Sequence, residues 1–133
     1  MDWDTFDSET RRLAELIDFV PDIIVGIARG GVIPATLLSK ILKVKNMFTL
    51  TLDREGERKI SAFLTQDIQG KKILLVEDMI ETGRGLSAGK KFLEEKGAII
   101  KTACLYTMPL SEMTPDYSLN EVPEVVPFPW NKE

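Results

Sequence analysis

Two short apolar runs, residues 22–28 (DIIVGIA) and 72–76 (KILLV), each end abruptly in a polar, glycine-bearing turn. Runs of this length, rich in branched residues and without polar alternation, suit strands buried on both faces, as in a parallel sheet covered by helices. After the first run, Arg29-Gly30-Gly31 breaks the strand. Ile33, Leu37, Leu38, Ile41 and Leu42 then give residues 32–44 one apolar helical face. Pro34 falls in the first turn, where a missing N–H is tolerated. After the second run, Glu77-Asp78 and the turn Thr82-Gly83-Arg84-Gly85 precede a helix predicted over 85–96, with Gly97 as its stop.

The remaining segments fit the same plan. Phe6, Leu13, Leu16, Ile17 and Val20 recur near helical spacing, so residues 4–19 read as an amphipathic helix ended by Pro21. Residues 47–52 form a second strand, 53–57 a polar turn, and 59–64 the returning arm of a hairpin. Residues 98–106 read as one more strand. Beyond Pro109 the chain is punctuated by Pro115, Pro123, Pro127 and Pro129, with short extended pieces such as Asp116-Tyr117-Ser118. There is no internal repeat and no low-complexity linker. The expected fold is α/β, a mostly parallel central sheet flanked by helices, in a single domain over residues 1–133. In such sheets ligands bind beyond the carboxyl ends of the strands, where the strand order reverses. The loops at 28–31 and 77–85 both occupy that kind of position.

Composition narrows the chemistry. The chain has no histidine, which excludes Ser-His-Asp and Cys-His catalysis and histidine metal ligands. Acid–base work falls to carboxylates, lysine or tyrosine. Its one cysteine, Cys104, permits no intramolecular disulfide. Cys104 lies in an apolar stretch and reads as a buried inert thiol; as a nucleophile it would lack a base. The net charge of −4 gives no basic surplus for a nucleic-acid backbone, so no nucleic-acid partner is expected. An anionic ligand must be met by a local site and by metal. No run of about 18 apolar residues exists, so no membrane span is expected. The acidic start, Met1-Asp2-Trp3-Asp4, is unlike a signal peptide, and a cytoplasmic location is expected.

The segment Ile73-Leu74-Leu75-Val76-Glu77-Asp78-Met79-Ile80-Glu81-Thr82-Gly83-Arg84-Gly85-Leu86 carries the most chemistry. Adjacent carboxylates repel, so a site holding both needs a cation or hydroxyl donors. The turn after them opens a helix, whose free N–H groups are ready to hold a phosphate. Taken alone, the two acids equally well solvate a strand end. The whole string resembles the signature by which type I phosphoribosyltransferases bind phosphoribosyl pyrophosphate (PRPP): an apolar strand, two acids, a short spacer, then Asp-Thr-Gly-x-Thr-Leu. That resemblance implies that Glu77 and Asp78 bind the ribose hydroxyls, directly or through Mg²⁺. It implies that Glu81, Thr82, Gly83, Arg84 and Gly85 wrap the 5′-phosphate. Glu81 stands in the place of the family's aspartate, and Gly85 in that of a threonine or serine. Losing a hydrogen bond to a charged group costs roughly 1.5–3 kcal/mol, unless Arg84 compensates. Gly89-Lys90 does not make a Walker A loop, because the spacing is unmet and Lys91 stands where Ser or Thr is required.

The first loop, Ala28-Arg29-Gly30-Gly31, resembles the same family's pyrophosphate loop. Its logic is a guanidinium able to grip phosphate oxygens and glycines that expose amides at a helix start. By itself it would equally be a plain strand-to-helix turn. The resemblance also implies a cis Ala28–Arg29 peptide. In the hairpin region, Arg54, Arg58 and Lys59 are candidates to meet pyrophosphate from a closing loop, with a solvated hairpin tip as the alternative.

The tail Val125-Val126-Pro127-Phe128-Pro129-Trp130 resembles the ending of short xanthine–guanine and hypoxanthine phosphoribosyltransferases, in which the terminal region forms a reduced hood over a purine. The lysine that precedes a proline in those enzymes is replaced by Met108. Met108, Val125 and Val126 are candidates to sandwich a flat base, and core packing accounts for them equally well. The implied function is transfer of phosphoribosyl from PRPP to a nucleobase, a 6-oxopurine, with Mg²⁺ held by Glu77 and Asp78. Arg29, Asp78 and Glu81 would be the catalytic residues. The alternatives are a noncatalytic PRPP or nucleotide sensor, and a phosphoribosyltransferase for a non-purine base. The family commonly forms dimers, and the apolar side of the first helix would suit self-association in a homodimer.

Overall fold

The computed structural model describes residues 1–53, 59–62 and 66–131. Its central sheet contains β1 (Ile23–Ala28), β2 (Met47–Asp53), β3 (Lys59–Ala62), β4 (Lys72–Val76) and β6 (Ile99–Ala103), in the order β3-β2-β1-β4-β6. Only β3 is antiparallel to its neighbour. Between these strands run α2 (Val32–Ile41), β5 (Met79–Ile80) and α3 (Arg84–Glu95). The helix α1 (Trp3–Leu16) precedes the sheet, and β7 (Tyr106–Thr107) and β8 (Asn120–Glu121) follow it.

Burial on both faces explains the unbroken apolar runs. Ile23, Val25 and Ile27 point into one core with Leu75, Leu86 and Leu93, while Ile24 and Leu74 point into a second with Phe6, Leu13 and Leu38. Thus α3 covers one face and α1 with α2 the other. Phe6, Leu13 and Ala14 of α1 are buried in this packing, while Trp3 and Leu16 of the same helix stay exposed.

Several boundaries differ from expectation. The first helix stops at Leu16, because Ile17 turns extended and Asp18 is held by the Tyr117 hydroxyl. The second stops at Ile41, not at 44: Lys43 takes a left-handed φ of 59°, and the Val44 N–H donates to the Ser39 carbonyl. The stretch 98–106 is not one strand. The chain leaves the central sheet after Ala103 and pairs again through β7 in a small sheet, β5-β7-β8. The apolar run continues across this change of partner, so its pattern carries no mark of it. Arg54 and Arg58, and the side chain of Lys59, lie outside the described residues.

At Gly26 in the centre of β1, a Cβ would sit 2.9 Å from the Val32 Cα and 3.0 Å from the Ala35 Cβ. Gly26→Ala should therefore lower stability by about 1–3 kcal/mol, read as a reduced urea midpoint; an unchanged midpoint contradicts this packing. The C-terminal half is also tied to α1 and the turn after it, by Tyr106 to Glu9 at 2.9 Å and Tyr117 to Asp18 at 2.5 Å. Burial, then the carboxylate bond, raises both phenols, Tyr117 to about 12. Above about pH 10 the unfolded chain loses these protons while the folded chain keeps them, so stability falls as pH rises. Thermal melts between pH 10 and 12 should show that loss, and Tyr117→Phe should reduce it; an equal loss in the variant contradicts the assignment.

Candidate active site

Strands β1 and β4 are parallel neighbours, in register from Ile23 opposite Ile73 to Gly26 opposite Val76. Both chains therefore emerge at the same rim, then turn into helices on opposite faces, which opens a crevice between them. The emerging loops touch. A Cβ on Gly30 would lie 2.1 Å from Asp78 Oδ2, and one on Gly31 would lie 2.5 Å from the Val76 carbonyl oxygen. The Ala28–Arg29 peptide is cis, as expected.

The two acids are fixed by backbone donors. The Asp78 N–H donates to Glu77 Oε1 at 3.0 Å, and the Met79 N–H to Asp78 Oδ1 at 2.6 Å. The Trp130 indole N–H donates to Asp78 Oδ2 at 3.3 Å. Among the described residues no group of three or more acidic, cysteine or histidine side chains could cage a metal. Glu77 and Asp78 offer hard oxygen donors of the kind Mg²⁺ takes, with the rest of its shell left to ligand oxygens and water.

A cavity of about 930 Å³ opens above this contact. Its lining includes Ala28, Arg29 and Gly30 from the first loop, Glu77, Asp78 and Glu81 from the second, and Val125 and Val126 from the tail. Arg29 is exposed there, and among the described residues no carboxylate pairs with it. A second hollow of about 200 Å³ adjoins it, lined by Glu81, Thr82, Gly83 and Gly85; Glu77 and Met79 border both. Gly83 has φ 83° and caps α3 without a side-chain bond; the Arg84 N–H donates to Thr82 Oγ1 at 3.3 Å, and the next two amides of the helix, which have no intrahelical acceptor, are left for an anion.

Two expected residues are not brought in. The Arg84 guanidinium pairs with exposed Glu112 at 3.2 Å and lines neither hollow, so it does not replace the donor missing at Gly85. Met108 also lines neither; its N–H donates to the Ile80 carbonyl. Cys104 is fully buried, and burial pushes its thiol up to about 12, in keeping with an inert core thiol.

Other lining residues escaped the sequence reading. Thr51 and Leu52 join the larger cavity from the end of β2. The rule that ligands sit beyond parallel strand ends would have found them. Phe128, Trp130 and Asn131 join it from the tail. Phe128 and Trp130 stack at 4.7 Å between centroids and 4° between planes. No sequence spacing announces that the second of these rings reaches Asp78.

Residues 2–133 match the family described as phosphoribosyl transferase domain. A hypoxanthine-guanine phosphoribosyltransferase of Lactococcus lactis is 39% identical over 71 residues, 51% of this chain and 39% of that protein. A xanthine-guanine phosphoribosyltransferase of Chromohalobacter salexigens is 28% identical over 97% of this chain and 81% of that protein. The crystal structure of a purine phosphoribosyltransferase from Pyrococcus horikoshii superposes with a TM-score of 0.90 at 32% identity, covering 100% of this chain and 93% of that one. With a matched region that includes both rim loops and the tail, the chain belongs to the phosphoribosyl transferase domain family.

Proposed function

We propose that residues 1–133 form one phosphoribosyltransferase domain that moves the 5-phosphoribosyl group of PRPP to a 6-oxopurine, releasing pyrophosphate. The observation that carries this reading is the shape of the crevice. Along one rim lie a helix start suited to an anion at Thr82–Gly85, two carboxylates, and an arginine that pairs with no carboxylate among the described residues. The names of the relatives in Lactococcus, Chromohalobacter and Pyrococcus point to the same chemistry.

In this reading the 5′-phosphate sits against Thr82, Gly83 and Gly85, and the diphosphate against Ala28, Arg29 and Gly30. Glu77 and Asp78 hold the ribose hydroxyls and Mg²⁺. When bound, Mg²⁺ neutralises charge on the diphosphate. As the C1–oxygen bond breaks, Arg29 stabilises the charge gathering on the leaving pyrophosphate. The base nitrogen forms the new bond to C1, and Glu81 receives the proton that the nitrogen sheds. Val125 and Val126 flank the flat base.

A homodimer and a cytoplasmic location belong to the same proposal. PRPP is a multiply charged sugar that does not cross a bilayer unaided, so an enzyme using it works where it is made.

The test is pyrophosphate release from PRPP and Mg²⁺ with hypoxanthine, guanine, xanthine, adenine and uracil. Turnover is expected with at least one of the first three. Binding without turnover on any base would indicate a PRPP sensor, and turnover on uracil alone a non-purine enzyme. Glu81→Gln should lower kcat by about 10²–10⁴-fold while leaving the KM for PRPP within a few-fold; an unchanged kcat removes Glu81 from the proton step.

A further inference from the structure

We propose that Trp130 is a positioning residue for Asp78, its indole N–H tying the wall beside the base to the carboxylate that serves the sugar; this rests on the crevice being a phosphoribosyltransferase site.

Trp130 lies in the 3-10 turn Pro129–Asn131, 52 residues away from Asp78 in sequence. Tryptophan has a single polar group, one N–H donor. Here that donor goes to Asp78 Oδ2 at 3.3 Å. The ring has little freedom to swing away. It stacks on Phe128, meets the edge of Phe6 at 4.9 Å and 86°, and leans on Trp3 at 5.9 Å. Phe128 in turn is only 1% exposed.

The main chain of the tail is pinned to the same loop. The Val126 N–H donates to Met79 Sδ at 3.4 Å, and the Phe128 N–H to Asn131 Oδ1 at 3.0 Å. The amino terminus of Met1 donates to the Pro127 carbonyl at 3.0 Å. So the two residues that follow Glu77, Asp78 and Met79, each hold one point of the tail.

Asp78 is thereby fixed from three sides. Met79 N–H takes one oxygen, Trp130 takes the other, and Gly30 lies beneath it too close for a side chain. Removing the indole donor frees one oxygen of the carboxylate to turn. The tail that walls the base side then no longer sets the geometry of the sugar side. A tryptophan that served only to fill space would be replaced by phenylalanine without effect on PRPP.

Trp130→Phe separates these cases, because it keeps a ring in the stack and deletes the N–H. The KM for PRPP should rise about tenfold, the loss expected for a hydrogen bond to a charged group, while the KM for the base stays within about twofold. Equal effects on both substrates, or no effect on PRPP, would overturn the proposal. A second measurement needs neither activity nor substrate. In a Trp3→Phe background the single remaining indole N–H resonance belongs to Trp130, and Asp78→Ala should move it upfield and speed its exchange. An unmoved resonance would overturn the proposal even if Trp130→Phe failed to fold. A wild type that binds no PRPP would sink the functional reading instead, and the indole resonance would then decide the Asp78 contact by itself.

Discussion

At the rim of the sheet, two loops approach so closely that only hydrogen atoms fit between them. Gly30 sits against the Asp78 carboxylate, and Gly31 against the Val76 carbonyl and the Glu77 backbone. The parallel register of β1 and β4 brings the loops there, and the missing side chains let them close. Everything chemical follows from that contact. It sets the distance from Arg29 to the acids, and it aims Asp78 toward the tail. It also lets one cavity span from the first loop to Val125 and Val126.

Charge complementarity to the ligand is local. A chain with net charge −4 has no general attraction for a polyanion. The rim supplies what the whole molecule lacks: an exposed guanidinium, helix amides without an intrahelical acceptor at the start of α3 and, in the proposed function, two carboxylates to hold a cation with the ligand's own oxygens. Placing all three within one crevice concentrates attraction where the ligand must sit.

Much of this was legible in the sequence. Val76 to Leu86 and Ala28 to Gly31 announced the two loops, since short apolar runs ending in acids or glycines have few alternative structures. The strand at 72–76 matched residue for residue. What stayed hidden depended on tertiary partners. The helix end at Lys43 uses a left-handed lysine, where a glycine would have been the visible signal. The switch of 104–107 into a second sheet leaves the hydrophobic pattern unchanged. Arg84 stands inside the phosphate motif and Met108 in the lysine's place, but the Arg84 guanidinium goes to Glu112 and neither residue lines the crevice. The reach of Trp130 to Asp78 depends on how the tail folds back, which no local spacing encodes.

The most direct measurement is a calorimetric titration of PRPP with Mg²⁺ into Gly30→Ala protein beside the wild type, with circular dichroism to confirm that both are folded. A methyl at that position collides with the Asp78 carboxylate, so the account predicts binding at least about tenfold weaker, a loss equivalent to one charge-assisted contact. Wild-type affinity in a folded Gly30→Ala protein would contradict it, because the two loops would then not need to meet where the sugar binds.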